Sequence, residues 1–305
     1  MSGIQGAFQS FRSFAPPPNT AAWFAGGAPA PSPLSRVDRI TYATDTATAT
    51  VRGPLSLARG YFGAAGNTTA GWFGGGWDTI STGATNVQRI TYATDPATAS
   101  VRGSLSLARY GVTAAGNNTD GWFGGGAPGP LSRVDRITYA TDTATASVRG
   151  PLSLAREYLA AAGNTTDVWF GGGNPGAVSR VDRITYATDT ATASVRGPLS
   201  LGRAALAAAG NSTDGWFGCG AFYSTVDRIT YATDTATASV RGPLSSARQA
   251  LAAAGNSTDA WFGGGNPGPL SRVDRITYAT DTATAVARGP LSAGKAYPAA
   301  AGGVQ

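Results

Sequence analysis

One unit of about 47 residues recurs six times between Trp23 and Gln305, and this periodicity limits the fold before any local motif is weighed. The tryptophans of its Trp-Phe pairs are Trp23, Trp72, Trp122, Trp169, Trp216 and Trp261, spaced by 49, 50, 47, 47 and 45 residues. A unit of this size cannot bury an apolar face alone and does so by packing on its neighbours. The six units fill residues 23–305, which leaves residues 1–22 as an arm and little for a second domain.

The unit from Leu199 to Pro243 is punctuated as four strands, here called a to d. Ala204–Ala209 is strand a, and Gly210-Asn211-Ser212-Thr213-Asp214 is a turn. Trp216-Phe217 is strand b, ended by Gly218-Cys219-Gly220. Val226–Thr233 alternates as strand c, and Thr237–Arg241 is strand d, closed by Gly242-Pro243. The chain enters the first unit at Ala22-Trp23-Phe24 with strand b already under way, and its missing strand a reappears at Lys295–Gly302. A linear solenoid needs polar caps, whereas a ring completes one sheet with both ends. The expected fold is therefore all-β: a six-bladed β-propeller of four-stranded antiparallel blades, closed by C-terminal strand a on N-terminal strand b.

Composition removes most chemistry. There is no His, and Cys219 stands alone, which excludes His-based catalysis, His or multi-Cys metal sites and an internal disulfide. Near-identical blades offer no unique pair of carboxylates, and Glu157 is the only Glu. A non-enzymatic chain with no catalytic residue, metal or cofactor is the expectation. The first 20 residues do not read as a signal peptide, and no apolar run is long enough for a membrane-spanning helix.

The columns Ala247-Arg248, Trp261-Phe262-Gly263-Gly264-Gly265, Val273-Asp274-Arg275-Ile276-Thr277-Tyr278 and Asp281-Thr282 resemble the kelch repeat across all six units. That family has an Arg before its first strand, an aromatic before a Gly pair and a Tyr in its third strand. This chain departs from it in strand d, where Ser-Val-Arg stands in place of Trp, and at Cys219, so inter-blade packing must use the other aromatics. The finer wording is similar to kelch-type repeats in virion structural and tail proteins of marine and cyanobacterial phages. The resemblance implies a virion location and other virion proteins as partners.

Strand alternation sorts the loops onto two faces. The a-b and c-d turns share one, which carries Asp45, Asp95, Asp142, Asp189, Asp234 and Asp281 together with Asp120, Asp167, Asp214 and Asp259, and is expected to be acidic. The b-c loops and d-a links share the other, expected to be basic through a ring of Arg59, Arg109, Arg156, Arg203, Arg248 and Lys295 and through further strand-end arginines. Each such Arg can equally be the fixed partner of a neighbouring Asp or backbone carbonyl. A basic face would dock an acidic protein surface. The six-fold spread of cations and the near absence of Lys argue against nucleic acid.

In the arm, Ile4, Phe8 and Phe11 fall on one side of a short helix and Phe14 precedes Pro16-Pro17-Pro18. These four side chains are the expected partner-binding anchor. The Gly-Asn-Ser/Thr turns match a glycosylation acceptor pattern but are also ordinary hairpin chemistry. Trp77 is an extra loop aromatic, either a contact point or local packing. An alternative function is receptor or glycan binding, with the Trp-Phe pairs as stacking faces, although alternation along strand b favours burial of these rings between blades.

Overall fold

Adjacent side chains on a strand point to opposite sides of its sheet, so each Trp-Phe pair sends one ring toward each neighbouring blade. A computed structural model describes residues 20–28, 32–78 and 83–302, and shows six four-stranded antiparallel sheets arranged in a ring, a six-bladed β-propeller. Blade 4 gives the pattern: strand a Ala160–Gly163, strand b Asp167–Gly171, strand c Val181–Thr185 and strand d Ser194–Arg196. The a strands line a central channel with Ala and Gly, and the d strands form the outer rim, where Val195 is exposed.

The ring closes as the sequence requires. C-terminal strand Ala299–Gly302 pairs antiparallel with Ala21–Ala25, from Ala22 opposite Gly302 to Ala25 opposite Ala299. Blade 1 is completed by Val37–Thr41 and Thr50–Arg52. Lys295 fastens this seam from inside: its buried amine donates to the Phe24 and Arg36 carbonyls and lies 3.2 Å from Asp38 Oδ2.

The core lies between blades. Trp169 stacks on Tyr231 of blade 5 with ring centroids 3.8 Å apart, and its indole N–H donates to Asp234 at 2.8 Å. Arg183 and Arg196 of blade 4 reach the same Asp234 oxygen at 3.1 and 3.2 Å. On the other side of the sheet, Phe217 packs back against Gly171, where any side chain would collide with its ring. Every blade repeats the Trp-Tyr-Asp interlock, ending with Trp261 on Tyr42 and Asp45 of blade 1. The Trp-Phe pairs are buried, which removes them as sugar-stacking faces.

A main-chain bond reinforces each interlock. Gly150 N–H donates to the carbonyl of Asp189 in the next blade at 2.8 Å, and a Cβ there would lie 1.9 Å from the Ala191 carbonyl oxygen. The Gly that follows the Arg of strand d, inside the longer strand of blade 2 and at the strand end in the others, is therefore obligatory for close backbone approach rather than for an unusual φ.

Several details differ from the sequence reading, among them strand d of blade 5, which begins at Ser239 rather than Thr237. Strand c of blade 5 ends at Thr230, and Tyr231–Thr233 forms a single 3-10 turn, which lays the Tyr ring flat on the Trp of the preceding blade. Strand a of that blade is Ala207–Gly210, because the preceding residues belong to the link, where Ala205 has a left-handed φ of 56°. Blade 2 has longer outer strands, Ala84–Thr91 and Ser100–Arg109, with irregular register between them.

Removing one interlock carboxylate strands two guanidinium groups and an indole N–H, so Asp234→Ala should lower unfolding free energy by about 3 kcal/mol, against about 1 for Trp169→Phe, measured by urea denaturation. Equal losses would contradict the interlock. Burial draws the Lys295 pKa from its ordinary 10.5 to about 8, with Asp38 pulling the other way. The unfolded chain then holds this proton to higher pH than the folded chain, so the group favours folding increasingly as pH rises above 8. Relative to a Lys295→Met/Asp38→Asn variant, wild-type stability should grow between pH 8 and 9.5; a flat difference would refute the shift.

Candidate binding face

The face of b-c loops and d-a links, here the link face, is where the repetition breaks. Two residues after each Arg or Lys that precedes strand a, the chain adopts a left-handed φ between 52° and 63° in all six blades. The residues are Tyr61, Gly111, Tyr158, Ala205, Ala250 and Tyr297. Each donates its N–H to the carbonyl of the preceding member, from Gly111 to Tyr61 at 2.6 Å through to Tyr61 to Tyr297 at 3.1 Å, so six main-chain hydrogen bonds close a circle around the channel mouth. The backbone is fixed there while the side chains differ.

Those side chains gather an aromatic crown. Tyr61 stacks on Tyr297 at 3.9 Å and meets Tyr110, Tyr158 and Trp77 edge-on at 6.0 to 6.3 Å. All five are half-buried. Trp77 is thus both local packing and part of the exposed patch. Burial, helped by neighbouring tyrosines, raises the Tyr61 and Tyr158 pKa values, and burial raises that of Tyr297, so these hydroxyls serve as neutral donors and acceptors. Glu157 stands beside Tyr158, its pKa also raised by burial. Blades 5 and 6 contribute only Ala205 and Ala250, which leaves one side of the mouth open. Farther out, the b-c loop of blade 5 presents Phe222, 51% exposed, and Tyr223.

The expected basic ring is not on this surface. Arg59, Arg109, Arg156, Arg203, Arg248 and Lys295 are fully buried. Arg156 shows why: it donates to the Gly172, Arg180 and Phe170 carbonyls and pairs with Asp182 at 2.6 Å, tying strands b and c of its own blade. Arg109, Arg203 and Arg248 pair likewise with Asp135, Asp227 and Asp274; Arg59, in the blade where Gln88 stands at that strand position, donates to Asn86 and feels the charge of Asp78. A guanidinium without water needs such acceptors, and Arg156 finds them for both terminal nitrogens. The cations that do face outward here are Arg36, Arg133, Arg180 and Arg272.

The opposite turn face is not free of cations either. Asp45, Asp95, Asp142, Asp189, Asp234 and Asp281 are buried, each between two arginines of the preceding blade. Asp120, Asp167, Asp214 and Asp259 are half-buried and each lies 3.6 Å from an Arg Nε. An Arg side chain reaches along its strand by about two residues, so an Arg within or ending a strand of three to five residues can bring its charge to the other face, and the loop-by-loop division of charge fails. The Asn of the a-b turns accepts from the backbone two and three residues on, as Asn164 does from Thr166 and Asp167. The arm residues Ile4, Phe8, Phe11 and Phe14 lie outside the described residues.

No protein-family model and no curated protein matches the sequence. The chain is similar to the solved structure of YjhT, with a TM-score of 0.68 over 90% of this chain and 98% of that one. At 10% identity the likeness concerns architecture alone. It sets the chain among propellers, a fold consistent with a binding module. Among the described residues, no His/Cys/Asp/Glu group could hold a metal ion, and no helix is long and apolar enough to cross a membrane.

Cys219 replaces the Gly that follows strand b elsewhere, at a φ of 61°, and its thiol is buried with its pKa pushed up to about 11 by that burial. A thiol reagent at pH 8 should label it only after unfolding in urea; rapid labelling of the native chain would contradict the packing described.

Proposed function

We propose that this propeller is a non-catalytic interaction module of a phage particle that docks to other virion proteins through its link face, with the N-terminal arm as a second attachment. The observation that carries the docking reading is the crown: Tyr61, Tyr110, Tyr158, Tyr297 and Trp77 converge from four blades on one half-exposed patch, whereas the repeated tryptophans are buried. Tyr and Trp give large contact area at low conformational cost, and the outward-facing Arg36, Arg133, Arg180 and Arg272 of the same face, the last three also 3.6 Å from Asp135, Asp182 and Asp274, suit acidic groups on the partner. The channel below is lined mainly by Ala and Gly, with apolar side chains such as Leu159, Leu206 and Leu251 in its upper part, and offers few polar side chains, so a ligand of this face is held at the mouth. The virion setting rests on the wording of the repeat, which resembles phage kelch-type repeats.

Glycan binding is the second reading, favoured by tyrosine rings whose faces could stack on the C–H face of a sugar. Blades 5 and 6 already carry Ala at the crown position with the same backbone, so Tyr61→Ala, Tyr158→Ala and Tyr297→Ala should leave the circle of main-chain bonds intact. The triple variant should keep its β-sheet circular dichroism and enter particles at less than a tenth of the wild-type level. Normal incorporation would overturn docking through the crown. Saturable binding on a glycan array, lost in the triple variant, would assign the crown to sugar instead.

A further inference from the structure

We propose that a notch beside Ala70, between blades 2 and 3 on the turn face, binds a carboxylate supplied from outside the chain. The other blades provide the template. In blades 3 to 6, strand b begins with Asp120, Asp167, Asp214 or Asp259, directly opposite Thr138, Thr185, Thr230 or Thr277 on strand c. The Thr hydroxyl donates to the carboxylate at 2.5 to 2.6 Å, and an Arg Nε of the same blade lies 3.6 Å from it. With the interlock Asp of the next blade, each such cluster holds two arginines and two carboxylates, as in Arg136, Arg149, Asp120 and Asp189, and is neutral.

Blade 2 keeps the cationic half of this arrangement without the anion. Ala70 stands opposite Thr91, and Arg89 and Arg102 share only Asp142, at 3.0 and 3.6 Å. One positive charge is left over. Arg89 Nε has no hydrogen-bond acceptor, which is equally true of Arg136, Arg183, Arg228 and Arg275 Nε; the difference is that each of those four has a strand-b carboxylate 3.6 Å away, whereas Arg89 pairs only with Asp142 among the described residues. Where the template places a carboxylate there is instead a surface cavity, lined by Arg89, Thr91, Asn67, Thr69, Asn118 and Thr119 among others. One guanidinium edge and one hydroxyl, held in cross-strand register, suit a planar two-oxygen acceptor.

The site is tested on the full chain, 15N-labelled at arginine, by following the Arg89 Nε–H resonance as acetate, or the peptide acetyl-Gly-Asp-Gly-amide, is added. Both should shift it saturably. Ala70→Asp supplies the carboxylate from within and should weaken the response at least tenfold, and Asp120→Ala should create a second responding site at Arg136. An unchanged titration in Ala70→Asp, or no new site in Asp120→Ala, would overturn the proposal, as would inorganic phosphate binding as well as acetate. At least tenfold tighter binding of the peptide than of acetate identifies an acidic side chain of a partner as the source; equal binding identifies a small carboxylic acid.

Discussion

Six buried carboxylates, one per blade, hold this ring together. Each accepts an indole N–H and pairs with two guanidinium groups of the preceding blade, while the carbonyl of the same residue accepts the N–H of that blade's strand-d Gly. An isolated carboxylate in that position would be strongly disfavoured, and three charge-assisted or polar donors make it tolerable. Because every blade gives donors to one neighbour and an acceptor to the other, only a closed circle satisfies all of them. The stacked Trp-Tyr pair adds apolar burial at the same point and excludes water from the charges.

The fold was legible because its signals are local and repeated. Gly and Pro mark the strand ends, alternation marks the faces, and the displaced strand a at Ala299–Gly302 announces closure. The electrostatics were not legible in the same way. Sequence places an Arg on a strand but not the direction in which six bonds of side chain extend, so strand arginines such as Arg183 and Arg196 read as part of the basic face while their charged ends meet Asp234 on the other. The Arg156 series shows the open alternative resolved by geometry, as each becomes the internal partner of an Asp, or of Asn86 in blade 2.

The crown escaped notice for a different reason. Tyr61, Tyr158 and Tyr297 lie far apart in the chain, and only ring closure makes them neighbours. A signal did exist: each sits two residues after an Arg or Lys that precedes strand a, where other blades have Gly or Ala. In a chain this repetitive, departure from the consensus is more informative than the consensus itself. The same holds for Ala70, whose meaning comes from the Asp found at its equivalents.

Strand pairing at the seam brings Thr20, at the start of blade 1, close to Gly302, at its end, both on the turn face. A tether attached before the one or after the other therefore leaves from the same side of the disc. The molecule has a built-in polarity: its described chain ends meet on one side of the disc, and the tyrosine-rimmed opening lies on the other.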